Sequence, residues 1–147
     1  MIIEIIISEL DFYLIEKIRE LRIKSSPYID QVTLAQKIGV SEGYIGSIEN
    51  PKIPSKYNIR MLHRVADALE LTSYDSLFPK TIVANDLVKI KLKLKQRSNR
   101  RHEIDSLGNV VKRFDVISKK PLNKKEVELW NSSDKTKKLK YLKIISS

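Results

Sequence analysis

The chain has 147 residues, enough for one sizeable hydrophobic core or two small ones, and 28 Lys and Arg against 18 Asp and Glu give it a formal charge of +10. Such a balance points to a polyanion or an anionic surface as partner. Without Cys it can have no disulfide, thiolate metal site or cysteine nucleophile, and its two His cannot hold zinc alone.

The charge is unevenly placed. Residues 1–79 hold 9 basic against 11 acidic side chains, net −2, whereas residues 80–147 hold 19 against 7, net +12. The opening "MIIEIIISELDF" is apolar but broken by Glu4 and followed by acids, and it lacks the basic start and small-residue cleavage site of a signal peptide. No apolar run approaches the roughly 18 residues of a membrane span, so a soluble cytoplasmic protein with no membrane partner is expected. Residues 1–8 read as an extended N-terminal strand.

Leu14, Ile15, Ile18 and Leu21 share one face at helical spacing and predict a first helix over 12–23. Pro27 interrupts it. Asp30 suits the N-cap of a second helix through Ile38, with Leu34, Ala35 and Ile38 facing inward, and Gly39 ends that helix because glycine accepts positive φ. Ser41 is the expected cap of a third helix from Glu42 to about Glu49, with Ile45 and Ile48 inward. Beyond a loop fixed by Pro51 and Pro54, the stripe Ile59, Leu62, Val65, Ala66 and Leu69 predicts a fourth helix over 58–69. "TSYDSLF" predicts a short fifth helix capped by Thr72 or Ser73, and the domain boundary is placed near residue 80, after Pro79.

The second half changes period. In "LVKIKLKLK", residues 87–95, apolar residues alternate with Lys, which is strand spacing. "EIDSLGNVVKRFDVIS" reads as a hairpin turning at Gly108 and Asn109, and Asn123 with Glu126 has capping-box spacing for a helix to Trp130. "YLKIIS" is a last strand or a tail.

Two short helices joined by a glycine turn and braced by a helix on either side leave the second of the pair protruding, where it fits a B-DNA major groove about 12 Å wide. Its apolar back, Ile45 and Ile48, stays anchored. The bland alternative is an ordinary bundle in which Gly39 is only a helix terminator. Gly43 and Gly46 each cost such a helix up to about 1 kcal/mol relative to Ala, either because a duplex approaches the backbone closely or because neighbouring helices would clash.

The stretch "LAQKIGVSEGYIGSIENPKIPS", with "IRMLHRVADALEL" and "LF" after it, resembles the Cro/CI (XRE) phage-repressor helix-turn-helix family over about residues 12–79. That resemblance implies a mainly α N-terminal domain, a five-helix lambda-repressor-like bundle. It implies DNA contacts from Gln31, just after the cap of the second helix, and from Ser41, Glu42, Gly43, Tyr44 and Ser47 on the recognition helix. Asn50, Lys52 and Lys56 match phosphate-contacting positions, and Glu49 matches a residue that the family pairs with a first-helix Arg, here Arg22, with Arg19 in reserve. The link "KSSPYIDQ" is longer than the family's usual short one.

The remaining 80–147 is expected to form a small basic α+β region, an antiparallel hairpin or sheet plus one helix. Its row Lys89, Lys91, Lys93 and Lys95, extended by Arg97, Arg100 and Arg101, is either a ladder of secondary phosphate contacts or the wet, aggregation-blocking face of a sheet. His63 beside the apolar stripe reads as a boundary histidine rather than a ligand. Without a glycine-rich phosphate loop or paired metal ligands the chain is not read as an enzyme, and no metal or cofactor is expected.

The expected function is sequence-specific binding of double-stranded DNA in transcriptional regulation, as a repressor and a homodimer, because two-fold pairing sets recognition helices about 34 Å apart. The alternatives are an antitoxin that neutralises a protein partner through residues 80–147 and regulates its own expression, and a general nucleic-acid binder. Salt separates the last from the first.

Overall fold

A computed structural model describes residues 1–95 and 103–147. In chain order the elements are β1 (Ile2–Ser8), α1 (Glu9–Ile23), α2 (Gln31–Ile38), α3 (Tyr44–Glu49), α4 (Ile59–Ala68), a 3-10 turn (Tyr74–Ser76), β2 (Leu87–Leu94), β3 (Phe114–Pro121), α5 (Lys124–Trp130) and β4 (Leu142–Ser146). They fall into two compact units, one of Met1–Glu9, Val83–Arg97 and Lys112–Ser147, the other of Leu10–Ile82 and Ser98–Val111.

The first unit is built on one antiparallel sheet in the order β3-β2-β1-β4. Its centre is the β-branched run of β1, whose Ile3, Ile5 and Ile7 align with Leu92, Ile90 and Val88 of β2 on a shared, buried face. Ile6 on the opposite face is also buried. β4 joins the other edge of β1, with Ile5 opposite Leu142. At the end of β1 the Glu9 carboxylate accepts hydrogen bonds from the Ala84 backbone N–H (3.1 Å) and Asn85 Nδ2 (3.2 Å), with Lys119 Nζ at 3.7 Å. The Asn123–Glu126 capping box forms in both directions and starts α5.

The second unit holds α1 to α4. α2 packs against both α3 and α4; of the apolar stripe foreseen for α4, Leu62, Val65 and Ala66 are buried, together with Met61, whereas Ile59 is exposed and Leu69 is the half-buried C-cap. Asn58 caps α4 by accepting from the Met61 backbone N–H at 2.8 Å.

This arrangement corrects the fold class expected from the sequence. Instead of a mainly α five-helix N-terminal bundle with a small α+β C-terminal region, the chain is an α+β fold with five α-helices and a four-stranded antiparallel sheet among its described residues. Strand β1 is the main reason, since the N-terminal segment pairs on both edges with strands β2 and β4 of the second half. "TSYDSLF" yields only the 3-10 turn, leaving four α-helices before residue 79. The expected 103–118 hairpin also divides. Ile104 bridges Val110 around Gly108 (φ 83°) in the second unit, while Phe114 onward pairs with β2 in the first.

Candidate nucleic-acid interface

The α2–α3 pair is set by local chemistry at each joint. The Asp30 carboxylate accepts from the Thr33 backbone N–H at 2.7 Å, and that bond holds its pKa below the ordinary value. α2 stops at Gly39, whose φ of 75° is the left-handed region, and Val40 N–H then donates back to the Ala35 carbonyl at 3.0 Å. A Cβ on Gly39 would meet nothing closer than Arg64 Nη1 at 3.8 Å, so glycine is demanded there by the backbone angle and not by space. Arg64 in turn donates to the Ile38 carbonyl at 2.8 Å, closing the end of α2 from α4.

α3 begins at Tyr44, two residues later than the sequence reading, with Gly43 as its cap and the Ser41 carbonyl accepting from Tyr44 N–H. Ile45 and Ile48 are fully buried, whereas Ser41, Glu42 and Gly43 are exposed and Tyr44, Gly46 and Ser47 half-buried. The Ser47 hydroxyl donates to the Gly43 carbonyl at 3.1 Å, and the Asn50 side chain accepts from the Lys52 backbone N–H at 3.0 Å. Lys52 is exposed, as is Lys56, which lies 3.6 Å from Asp11. The two glycines differ. A Cβ on Gly46 would stand 3.1 Å from Gln31 Oε1, whereas one on Gly43 would meet nothing within 4 Å.

Behind α3 lies a buried ionic cluster. Arg22 donates from Nε to Glu49 Oε2 at 3.0 Å and from Nη2 to Glu49 Oε1 at 2.7 Å. A second carboxylate, Glu103, takes Nη1 at 2.8 Å and Nη2 at 2.6 Å, and the Ile29 carbonyl takes Nη1 at 3.0 Å. All five guanidinium N–H groups are thereby used. Tyr28 also donates to Glu103, and Arg19 stands 3.8 Å from Glu49 and 3.7 Å from Glu103. Two cations and two anions share the cluster, so burial leaves no net charge there. Burial and the Glu103 carboxylate push the Tyr28 hydroxyl up to about 12, keeping it a donor.

Gln31 lies inside this cluster's reach. Its Nε2 donates to Glu49 Oε1 at 2.9 Å and the residue is half-buried, which makes it a brace of α3 within the chain. Tyr28 and Glu103 were missed by sequence reasoning. No local pattern ties either to Arg22, and Glu103 lies 81 positions away.

The Lys row of β2 is matched by acids. Lys91 stands opposite Glu4 and Lys93 opposite Asp115, Lys89 pairs with Glu126 of α5, and Lys95 lies 3.6 Å from Asp115. Lys89 and Lys91 are half-buried, Lys93 and Lys95 exposed. Arg97, Arg100 and Arg101 lie outside the described residues. His63 is exposed and hydrogen-bonded to the Tyr74 hydroxyl through Nδ1 at 2.6 Å.

Among the described residues no group of three or more His, Cys, Asp or Glu is placed to hold a metal ion, and no helix is long and apolar enough to cross a membrane. Compared with protein-family models, with curated proteins and with solved structures, the chain matches none of them.

Proposed function

We propose that the chain binds double-stranded DNA with sequence preference through α3 and acts in transcriptional regulation as a homodimer. The observation that carries this reading is a six-residue helix with a buried, ion-braced back, half-buried Tyr44 and Ser47 on its other side, and exposed Ser41, Glu42 and Gly43 leading into it. At about 1.5 Å per residue such a helix is roughly 9 Å long, within a major groove about 12 Å wide. Ser41, Glu42, Tyr44 and Ser47 face bases in this reading, and Glu42 accepts from a cytosine amino group. Lys52 and Lys56 approach phosphates. The resemblance of residues 12–79 to the Cro/CI (XRE) family supports the same assignment.

The test is enrichment of duplexes from a random pool by the full chain, followed by Tyr44→Ala and Ser47→Ala. Each variant is expected to keep its fold and to lose discrimination among enriched sequences, about 1–3 kcal/mol per lost base contact. Failure of the wild-type chain to enrich any sequence overturns the reading.

One observation favours a second reading. The first unit carries 16 basic against 7 acidic residues, net +9, and the second unit 12 against 11, net +1. A general polyanion binder working through the first unit would bind random and enriched duplexes alike, and both affinities would fall together with salt.

A further inference from the structure

We propose that Glu103 is a positioning residue for α3, so that a segment from the second half of the chain sets the pose of the helix read above as the DNA-contacting element. The inference rests on that reading for its functional meaning and on the ionic cluster for its physics. Arg22 is fully buried, and its five N–H groups are divided among Glu49, Glu103 and the Ile29 carbonyl. Glu49 is the last residue of α3 and Glu103 belongs to the segment that turns at Gly108.

Without the Glu103 charge the cluster keeps Arg19 and Arg22 against Glu49 alone. A buried excess of one positive charge is strongly unfavourable. The freed Nη1 and Nη2 donors must find water or draw Glu49 into a new arrangement. Either course moves the end of α3, because Glu49 cannot follow the guanidinium without its helix. Tyr28 strengthens the link, since its hydroxyl donates to the same Glu103 oxygen that Arg22 Nη1 uses. α4 is tied to the bundle at a different point, its Arg64 donating to the Ile38 carbonyl at the end of α2.

The experiment uses the full chain with Glu103→Gln, with Tyr28→Phe as a milder variant that keeps every charge, and with Val65→Ala in α4 as a destabilised control. Amide hydrogen exchange is followed at Ser47, Ile48 and Glu49 and compared with α4, under conditions where each variant is folded. Glu103→Gln is expected to speed exchange in α3 about tenfold relative to α4, the scale of one lost charge-assisted hydrogen bond, and Tyr28→Phe less in the same direction. Val65→Ala should show no such preference for α3. The preference of the wild-type chain for its best duplex over a singly substituted one should also fall about tenfold in Glu103→Gln and stay intact in Val65→Ala.

Equal exchange in α3 and α4 of Glu103→Gln overturns the proposal, as does selectivity no worse than that of Val65→Ala. If the wild-type chain enriches no duplex, the DNA-reading assignment fails, and the exchange result alone decides whether Glu103 positions α3.

Discussion

Glu103 meets Arg22 through two parallel hydrogen bonds of 2.8 and 2.6 Å, although 81 positions of sequence separate them. The same guanidinium holds Glu49 by a second fork, 27 positions away. One buried side chain thus ties α1 to α3 and to a segment beyond β2, and residues 1–79 contain only part of its coordination.

Arg22→Met should lower the free energy of unfolding by about 3–5 kcal/mol, because the buried Glu49 and the half-buried Glu103 lose their shared partner. Urea denaturation followed by circular dichroism measures it. Replacing Arg19 with Met and Glu49 and Glu103 with Leu in the same chain should restore much of the loss, since removing a whole buried ionic group is far less harmful than breaking it. A wild-type midpoint for the single variant would refute the brace.

Acid should weaken this cluster in a definite window. Burial pushes the Glu103 carboxyl up, but hydrogen bonds from Arg22 and Tyr28 and the charges of Arg22 and Arg19 hold it below its ordinary 4.5. A carboxyl depressed in the folded state stabilises above its unfolded value and loses that contribution as pH falls through the folded one. Stability measured from pH 6 downward (roughly the range in which carboxyls titrate) should therefore drop less steeply in Glu103→Gln than in the wild type. Glu9, Asp30 and Glu126 are depressed as well, so both proteins retain some slope.

The two glycines of the α3 region should answer differently to alanine. Gly43 has a φ of −83° with open space around its Cβ position, so Gly43→Ala should raise stability by about 0.4–1 kcal/mol through the unfolded chain. Gly46→Ala should bring no such gain, because its methyl would press on Gln31 Oε1 and disturb the bond from Gln31 to Glu49. Thermal unfolding of both variants distinguishes them, and equal melting shifts would contradict the account.

Salt dependence should separate the lysines. If α3 reads a duplex, Lys52→Gln should reduce the slope of log affinity against log salt by about 1, the weight of one phosphate contact. Lys91→Gln should change it far less, because Glu4 stands opposite Lys91 in the sheet. A larger effect from Lys91 would move the binding surface to the first unit.

Much of the helical part was legible because its signals are local. Asp30, Gly39 and Asn58 end or begin helices through bonds within a few residues, and the stripe of α2 and the middle of that of α4 face inward, while Ile59 in the first turn of α4 is exposed. The pairing of Arg22 with Glu49 came from resemblance. The sheet was legible strand by strand but not as a whole. Alternation marks β2, yet nothing in "LVKIKLKLK" says that its neighbours are residues 2–8 on one side and 114–121 on the other. Glu103 was illegible for the same reason, since its partner is chosen by tertiary approach and carries no spacing rule. The acids opposite the Lys row were hidden likewise, because Glu4 and Asp115 meet β2 only once register is fixed.

The central place of β1 bears on how the protein is made. Ile5 must wait for Ile90 and then for Leu142 before both of its edges are paired. A growing polypeptide therefore carries "IIEIII" without its sheet partners until at least residues 87–94 have been made, a β-prone segment of the kind that invites association with other nascent chains. Glu4 within it and Glu9 just after it are the charges that guard against this, and the long loops to be closed imply slow completion of the sheet.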